Sequence, residues 1–204
     1  MTVLHPHRGV LMFTTRQRTF LAFILAAQTA NAGADEQTFT IEGTNTLPSF
    51  EVGHLGFSTQ RGHFNETSGK VVMDEQNRRG KVDITIDANS IDTGIRQLDD
   101  VLRKLDFLNV TQHPTLTFRS SQFRFNSDKL VAVDGMFTML GVSRPVSLSV
   151  THYQCGIDVA SAKYVCDVDA EASFRRSDFG MTRFIPMVSD EVKLRIKVKA
   201  ARDQ

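Results

Sequence analysis

Short segments in which apolar and polar residues alternate recur along the chain between residues 38 and 198. In residues 81–86, for example, Val82, Ile84 and Ile86 share one side and three polar residues share the other. Successive side chains of a strand point to opposite faces, so this alternation predicts strands with one buried face and one face in water. About eight such segments joined by short turns predict a mainly β fold, a barrel or a sandwich of antiparallel strands.

One stretch, residues 95–110, departs from the two-residue period. Apolar residues return there at helical spacing, at Leu98, Val101, Leu102, Leu105 and Leu108. Asp99 and Asp100 come early in the stretch, where the helix dipole favours acidic side chains. We therefore expect one short helix, from about residue 97 to residue 105, that crosses between two strands.

The first 32 residues have the pattern of a secretory signal peptide. Residues 16–18 supply two arginines, residues 20–27 (FLAFILAA) an apolar core, and residues 30–32 (Ala-Asn-Ala) a cleavage site of small residues. The apolar run is too short to cross a bilayer. We expect cleavage of residues 1–32, export to the periplasm and a single folded domain over residues 33–204.

The charge of the exported part excludes some classes of partner. Removal of the first 32 residues takes away three of the 24 lysines and arginines and none of the 23 acidic residues, which leaves 21 basic side chains. A nearly neutral chain without a basic run has no electrostatic footprint for nucleic acid. No second apolar stretch approaches the roughly 18 residues of a transmembrane helix, so we expect no membrane span.

The two cysteines, Cys155 and Cys166, both lie in the exported part. In an oxidising compartment they can pair, and the closed loop stabilises the fold by roughly 3 kcal/mol if the effect is entropic. Zinc binding is the alternative, because His152 lies shortly before Cys155. Two thiols without a spaced pair of histidines fit a zinc site poorly. We therefore favour a disulfide across a hairpin and expect no metal.

Three motifs resemble the YceI-like family: residues 50–64 (FEVGHLGFSTQRGHF), residues 105–118 (LDFLNVTQHPTLTF) and residues 176–181 (RSDFGM). Their order and spacing extend the resemblance over residues 39–199. The family consists of exported bacterial polyisoprenoid-binding proteins with an eight-stranded antiparallel, lipocalin-like β-barrel. The resemblance implies this fold here, with a long-chain isoprenoid as the ligand, either a polyprenyl phosphate or an isoprenoid quinone.

The chain departs from the family near its first strand. Members often carry an aspartate there, followed by a His-Ser pair, whereas Glu42, Asn45 and Thr46 take the nearest positions in this sequence. We therefore assign no role of the family's His-Ser pair to this chain.

Phenylalanine dominates the aromatic residues of the exported part, with 12 Phe, two Tyr and no Trp. Phe lines an apolar space without a polar tip that needs a partner. An eight-stranded barrel either fills with its own side chains or keeps one narrow cavity, and the resemblance implies the cavity. The residues expected to line it are Phe50, Val52, Phe64, Val82, Ile84, Phe118, Phe137, Leu148, Phe174, Phe179, Met181 and Leu194.

The head group of such a ligand needs polar partners at the mouth. Alternation along residues 170–176 places Arg176 on the inward face, and His54 continues the inward side of its own strand. We expect both to meet the head group. An ion pair between Arg176 and Asp178 is the alternative, because an unpaired buried charge is costly.

The segment RSDFGMTRFIP, residues 176–186, is rich in turn-forming residues. Its side chains Phe179, Met181 and Phe184 are expected to form an apolar lid over the opening, since Met adapts to irregular ligands. Three arginines are expected as solvated charges in loops near the mouth: Arg61, Arg96 and Arg183.

Motifs of catalysis were sought and not found. The sequence has no nucleophile elbow, phosphate loop, dinucleotide fingerprint or zinc-protease motif, and the histidines of the exported part lack metal-ligand spacing. We expect no catalytic residues and no cofactor, and a periplasmic protein that carries, stores or sequesters its lipid.

Two other classes of function stay open from the residues alone. One is a periplasmic enzyme that acts on an apolar substrate with His54 or Asp178 as base. The other is a module that binds haem or a protein. A homodimer and transient membrane contact for lipid loading are further expectations that the sequence does not decide.

Overall fold

The computed structural model describes residues 1–2 and 36–203. The chain divides into two compact units, Met1–Ala32 and Gly33–Gln204, and the elements below belong to the second. Apart from Met1 and Thr2, the predicted signal peptide and its cleavage site lie outside the described residues.

The described residues contain eleven strands, one α-helix and three short 3-10 turns. The strands are β1 (Gln37–Ile41), β2 (Leu47–His54), β3 (Ser58–Phe64), β4 (Thr67–Asp74), β5 (Arg79–Asp87), β6 (Ile91–Asp92), β7 (Thr115–Asn126), β8 (Lys129–Met139), β9 (Val142–Asp158), β10 (Lys163–Arg175) and β11 (Val188–Arg202). The helix α1 is Arg96–Leu102, and the 3-10 turns are Gly43–Asn45, Ala88–Ser90 and Arg176–Phe179.

The strands close into a barrel. Neighbours pair antiparallel in the order β1, β4, β5, β7, β8, β9, β10 and β11, and β11 closes the ring by pairing with β1, Phe39 opposite Arg202 and Ile41 opposite Ala200. This ring of eight antiparallel strands confirms the predicted lipocalin-like barrel.

The three remaining strands extend the wall at one end of the barrel. β2 pairs with the first part of β11, β3 pairs with β2, and β6 pairs with β3. Thus β1 and β2 occupy successive parts of one edge of β11, with the turn Gly43–Asn45 between them. The eleven strands therefore occupy eight positions around the barrel wall. Three of these positions hold two shorter strands each: β1 with β2, β3 with β4, and β5 with β6.

The alternation read from the sequence matches the inside and outside of this wall. Val82, Ile84 and Ile86 are buried on β5, as predicted. Ile84 stands opposite Phe118 on β7, and Phe118 stands opposite Phe137 on β8, so the three side chains form one level of the interior.

The helix α1 lies between β6 and β7 and is shorter than predicted. It begins one residue before the expected start and ends at Leu102 rather than near Leu105. The chain turns there because the amides of Lys104 and Phe107 donate to carbonyls three residues back, and the amide of Leu108 donates to Leu102. Leu105 is left exposed, whereas Leu108 is buried in the core.

The predicted disulfide is confirmed. Cys155 on β9 and Cys166 on β10 stand directly opposite each other, with 4.0 Å between their Cα atoms, and their sulfurs are bonded. The bond joins two neighbouring strands at the end of the barrel opposite α1. That end is also tied by an ion pair of 2.6 Å between Lys199 Nζ and Asp158 Oδ2.

Candidate functional site: an apolar tunnel

The interior of the barrel holds two adjoining chambers that share part of their wall. A mouth chamber of about 390 Å³ lies at the end that carries α1, and a deep chamber of about 140 Å³ lies toward the disulfide. Five side chains line both chambers, so the chambers meet where these residues stand: Phe50, Phe64, Leu116, Phe137 and Leu194. We call this ring the waist, and the whole space the tunnel.

The structure brings nearly all the predicted lining residues together on the tunnel wall. Val82, Ile84, Phe118 and Leu148 line the deep chamber. Val52, Phe174 and Met181 line the mouth chamber. Phe50, Phe64, Phe137 and Leu194 belong to the waist. Except for Met181, which lies in the loop after the turn Arg176–Phe179, these positions follow from the two-residue period, because each lies on a regular strand.

Phe179 is the exception, and the prediction that it lines the opening or forms part of a lid is wrong. Its side chain is only 2% exposed and borders neither chamber. It lies behind the wall, with ring centroids 5.5 Å from Phe137 and 5.2 Å from Phe174. It belongs to the 3-10 turn Arg176–Phe179, past the end of β10, and it packs against two lining rings.

Close approach to glycine keeps large rings at the wall. A Cβ atom added to Gly62 on β3 would lie 2.5 Å from the ring of Phe50, and one added to Gly135 on β8 would lie 2.6 Å from the ring of Phe118. Each ring thus occupies the space that a side chain on the adjacent strand would take. An aromatic ring packed against a strand glycine covers the exposed backbone, and here it also leaves the middle of the tunnel open.

Two loops face each other across the mouth. The first follows α1 and the second joins β10 to β11. Their rings Phe107 and Phe184 lie 6.2 Å apart between centroids, and Arg183 reaches Asp106 at 3.8 Å while its guanidinium carbon lies 4.8 Å from the ring centre of Phe184. Met181 and Phe184 also line the mouth chamber, as the predicted lid requires.

The three arginines expected in loops have different positions. Arg61 lies inside β3 and not in a loop, which corrects that expectation; its guanidinium donates to Glu51 at 2.9 Å and lowers the pKa of that carboxyl. Arg96 is the exposed first residue of α1. Arg183 lies in the mouth loop described above.

Arg176 is buried at the mouth chamber, and it does not form the ion pair with Asp178 that was the alternative to a head-group contact. Its guanidinium donates to three backbone carbonyls, those of Ser189 at 2.8 Å, Met181 at 3.0 Å and Val188 at 3.0 Å. Burial lowers the pKa of Arg176, and the nearby carboxylate of Asp190 opposes that shift. The side chain therefore holds the mouth loop to the start of β11, a role that alternation alone does not reveal.

His54 and Gln60 are polar side chains that line the mouth chamber. His54 lies at the end of β2, at the open mouth, and is exposed there. Its position on the chamber wall agrees with the inward direction that the alternation predicted. Gln60 on β3 was missed, although it shares the parity of Phe64 four residues later. Together they place hydrogen-bonding groups at the wide end of the tunnel.

The deep chamber has hydroxyl groups that the sequence reading also missed. Tyr153 lines it and donates its hydroxyl to Glu75 at 3.0 Å; burial raises the pKa of Tyr153, and the hydrogen bond adds to the shift. Thr46 is fully buried and contacts the backbone of Lys199 through Oγ1. Thr67 Oγ1 is buried and has no hydrogen-bond partner among the described residues.

Two kinds of site were not found within residues 36–203. No group of three or more His, Cys, Asp or Glu side chains is arranged to hold a metal ion. No helix in this part of the chain has the length and apolar character needed to span a membrane.

Comparison with known proteins identifies the family to which this barrel belongs. Residues 39–200 match the YceI-like domain family. The chain belongs to the YceI-like family. Among its curated relatives, a UPF0312 protein of Pectobacterium carotovorum subsp. carotovorum is 34% identical over 192 residues, which cover 92% of this chain and 99% of the relative. Protein YceI of Salmonella arizonae is 33% identical and is covered completely by 92% of this chain.

Solved structures share the YceI-like barrel. A YceI protein of Campylobacter jejuni is 25% identical with a TM-score of 0.62, over 74% of this chain and 90% of that one. BcnA of Burkholderia cenocepacia has a TM-score of 0.65 at 23% identity, over 78% and 98% of the two chains. A polyisoprenoid-binding domain from Saccharophagus degradans has a TM-score of 0.61 at 13% identity, over 81% and 98%. The last two likenesses show the fold alone.

The departure of this YceI-like chain from its family falls at the break between β1 and β2. Asn45 donates its amide to the carboxylate of Glu42 at 3.1 Å, beside the 3-10 turn. Thr46 follows and lines the deep chamber. The residues that replace the His-Ser pair thus include one on the tunnel wall.

Proposed function

We propose that this protein holds a long-chain isoprenoid, a polyprenyl phosphate or an isoprenoid quinone, in the tunnel and carries, stores or sequesters it in the periplasm without chemical change. The observation that carries the proposal is the apolar tunnel, in which two chambers meet at a waist of five apolar side chains. A long slender chain without hydrogen-bonding groups fits such a space. Removing its hydrocarbon surface from water contributes roughly 25 cal/mol per Å² of apolar area, partly offset by ordering of the chain.

Two relationships support this ligand class. The chain is a YceI-like protein, and the neighbour from Saccharophagus degradans is named for polyisoprenoid binding. We assign the head group to the mouth chamber, where His54 and Gln60 lie. We assign Arg176 to support of the mouth loop, because three of its N–H groups already donate to carbonyls.

The proposed location rests on two features. The sequence has a signal peptide pattern that ends at Ala32, and the barrel carries a disulfide, which persists in oxidising compartments such as the periplasm. We expect the mature protein to begin at Gly33 and to be released by osmotic shock. N-terminal sequencing of the released protein checks both points, and an intact Met1 or a cytosolic protein would refute them.

The function is tested by identifying what the purified protein contains. Native protein is extracted with organic solvent and the extract is analysed by mass spectrometry; a series of masses that differ by isoprene units is expected. An extract without an isoprenoid after mild purification would count against the proposal.

A variant that fills the deep chamber sharpens this test. Ala170 is buried and lines the deep chamber, so Ala170→Phe should displace lipid while leaving an apolar interior. Ala160→Phe, the same change at an exposed position of the β9–β10 connection, is the matched control and should keep its lipid. Circular dichroism verifies that both variants fold, and equal lipid content in the two would oppose the tunnel as the binding site.

A further inference from the structure

Exposed apolar side chains surround the mouth of the tunnel. They come from three separate segments: the β2–β3 connection, α1 with its following turn, and the loop before β11. We call the set the apolar rim, and it comprises Leu55, Phe57, Val101, Leu105, Phe184 and Met187. Phe57 is 82% exposed and Leu105 is 76% exposed. Apolar patches that several segments build together mark interaction sites more often than isolated exposed residues do.

Two residues of the apolar rim have a backbone conformation that bulky side chains rarely adopt. Leu55 has φ of +53° and Phe184 has φ of +63°. In the Leu55-Gly56 turn both residues have positive φ, a geometry for which Asn-Gly is the usual sequence. At the opposite end of the barrel, turn positions with similar φ hold Arg78, Ser127 and Ala162, none of which is a bulky apolar residue. Placing large apolar groups at these positions of the mouth is consistent with a contact surface.

Residues 95–107 carry three acidic and three basic side chains, and two of the cations beside the apolar rim form no ion pair. In residues 95–107 every acidic side chain has a partner: Asp99 accepts from Thr93, Asp100 pairs with Arg103, and Asp106 pairs with Arg183. Arg96 and Lys104 are exposed and form no ion pair with another described residue. Two free cations next to exposed apolar residues are complementary to a bilayer surface, where anionic headgroups cover an apolar interior.

The apolar rim is continuous with the tunnel. Val101 and Phe184 line the mouth chamber and are also among the exposed residues of the rim. An apolar ligand that leaves the tunnel therefore meets apolar side chains until it reaches the outer surface. If these side chains enter a bilayer, the ligand passes between protein and membrane without crossing water.

We propose that the apolar rim docks on an anionic phospholipid bilayer, with Phe57 and Leu105 below the headgroups and Arg96 and Lys104 against the phosphates. This inference rests on the proposed lipid-carrying function, because it assigns the surface through which the tunnel is loaded and emptied. The interaction is peripheral and reversible, since single side chains enter the interface and no helix within residues 36–203 is long and apolar enough to span it.

The test is flotation of the purified protein with vesicles of phosphatidylethanolamine that contain a minority of phosphatidylglycerol. Wild type should float with these vesicles, and less protein should float at high salt, which screens the two cations. Phe57→Ser with Leu105→Ser should weaken the binding by roughly tenfold or more, because each change removes an exposed apolar group. Arg96→Gln with Lys104→Gln should reduce binding to anionic vesicles and leave binding to neutral ones unchanged.

Val159→Ser is the matched control for the serine variants. Val159 is 96% exposed on the hairpin at the opposite end of the barrel, so this variant should float like wild type. Absence of wild-type binding at low salt, or an equal loss in Val159→Ser, would overturn the docking proposal. So would a dimer in light scattering that the paired serine variant dissociates, if no vesicle binding accompanies it.

The two proposals fail in different ways. Protein that contains an isoprenoid but ignores vesicles retains the proposed function and refutes the docking surface. Protein that binds vesicles through the apolar rim but never contains an isoprenoid retains the docking surface and refutes the proposed function.

Discussion

Two threonine hydroxyls at the wall of the deep chamber differ in their hydrogen bonding. Thr46 Oγ1 accepts from the backbone N–H of Lys199 at 3.2 Å and lies 3.4 Å from its carbonyl oxygen. Thr67 Oγ1 is equally hidden from solvent and has no partner. A buried hydroxyl without a partner costs about 1–3 kcal/mol, whereas a satisfied one contributes about 1 kcal/mol. The two residues therefore affect the free energy of unfolding in opposite directions.

Replacement of each threonine by valine, which has nearly the same shape, tests this difference. In lipid-free protein we expect Thr67→Val to raise the free energy of unfolding by about 1 kcal/mol and Thr46→Val to lower it by about 1 kcal/mol. Urea denaturation measures both values. A loss of stability in Thr67→Val would mean that its hydroxyl has a partner in solution, such as a bound water.

Arg176 shows what the sequence leaves hidden at the residue scale. Its inward parity was predicted correctly, but its partners were not, because the three carbonyls that it contacts lie 5 to 13 residues further along the chain, in an irregular loop and at the start of β11. A two-residue period reports which face of a strand is buried and nothing about the path of a loop. The misplacement of Phe179 has the same origin, since it lies in the 3-10 turn that ends the regular strand.

We expect Arg176→Gln to act through this loop. Loss of the guanidinium leaves buried carbonyls without a donor, and at about 1 kcal/mol or more for each, the free energy of unfolding should fall by about 2–4 kcal/mol. Ligands with anionic and neutral head groups should be affected alike. Calorimetry and binding of both ligand types provide the measurements, and a selective loss of anionic ligands in a fully stable variant would restore a direct head-group contact.

At the scale of elements, regular strands were predictable and interruptions were not. The alternation of Val82, Ile84 and Ile86 identifies β5 because both faces of that strand continue without a break. The division of one wall position into β1 and β2 depends on the turn Gly43–Asn45, which has no helical capping side chain and no distinctive sequence. The early end of α1 depends on hydrogen bonds of Lys104 and Phe107 that form only when the following loop folds over the mouth.

One ion pair between elements predicts a dependence on pH. Asp158 at the end of β9 lies 2.6 Å from Lys199 on β11, and hydrogen bonds from Lys199 and Ser161 lower the pKa of Asp158. A carboxyl whose pKa is lower in the folded state stabilises the fold above its unfolded pKa of about 3.9, and this contribution is lost as the pH falls. We therefore expect Asp158→Asn to have a lower melting temperature than wild type at neutral pH, and the difference to shrink under acidic conditions.

The control for this variant is Asp128→Asn. The side chain of Asp128 is 93% exposed and pairs with Arg78, and an exposed pair contributes little. Its melting temperature should follow that of wild type at every pH. A constant offset for Asp158→Asn across the acidic range would remove the ion pair as the cause.

For the whole molecule, the central question is why the interior remains open. The resemblance to YceI-like proteins implied a cavity, but composition fits a filled core equally well, because twelve phenylalanines can meet at an axis as readily as they can line a wall. The structure gives the physical reason in the pairs Gly62 with Phe50 and Gly135 with Phe118, in which the ring takes the place of a missing side chain on the next strand. Such pairing across strands needs the register, which a single sequence does not contain.

This explanation predicts that one methyl group narrows the tunnel. In Gly62→Ala the new Cβ would displace the ring of Phe50 toward the waist, so the capacity for an isoprenoid should fall several-fold while the barrel still forms. Lipid extraction at matched protein concentration checks the capacity. Gly56→Ala is the control for glycine replacement, because nothing lies within 4 Å of its added Cβ. Alanine at this position of positive φ lowers the stability of the fold but leaves the tunnel unchanged. Equal lipid content in Gly62→Ala and wild type would oppose this account of the waist.

The pairing of β1 with β11 has a consequence for how the molecule is made. Phe39 meets Arg202, so the seam that completes the ring joins segments separated by nearly the whole folded domain. Both sides of that seam are present only after nearly all of residues 36–203 have emerged from a ribosome or a translocation channel. Ring completion must therefore follow synthesis of the entire domain, and contacts of such long sequence separation make this late step slow. Until then the apolar inner face stays open to its surroundings, and a chaperone that shields it would have its greatest effect during this interval.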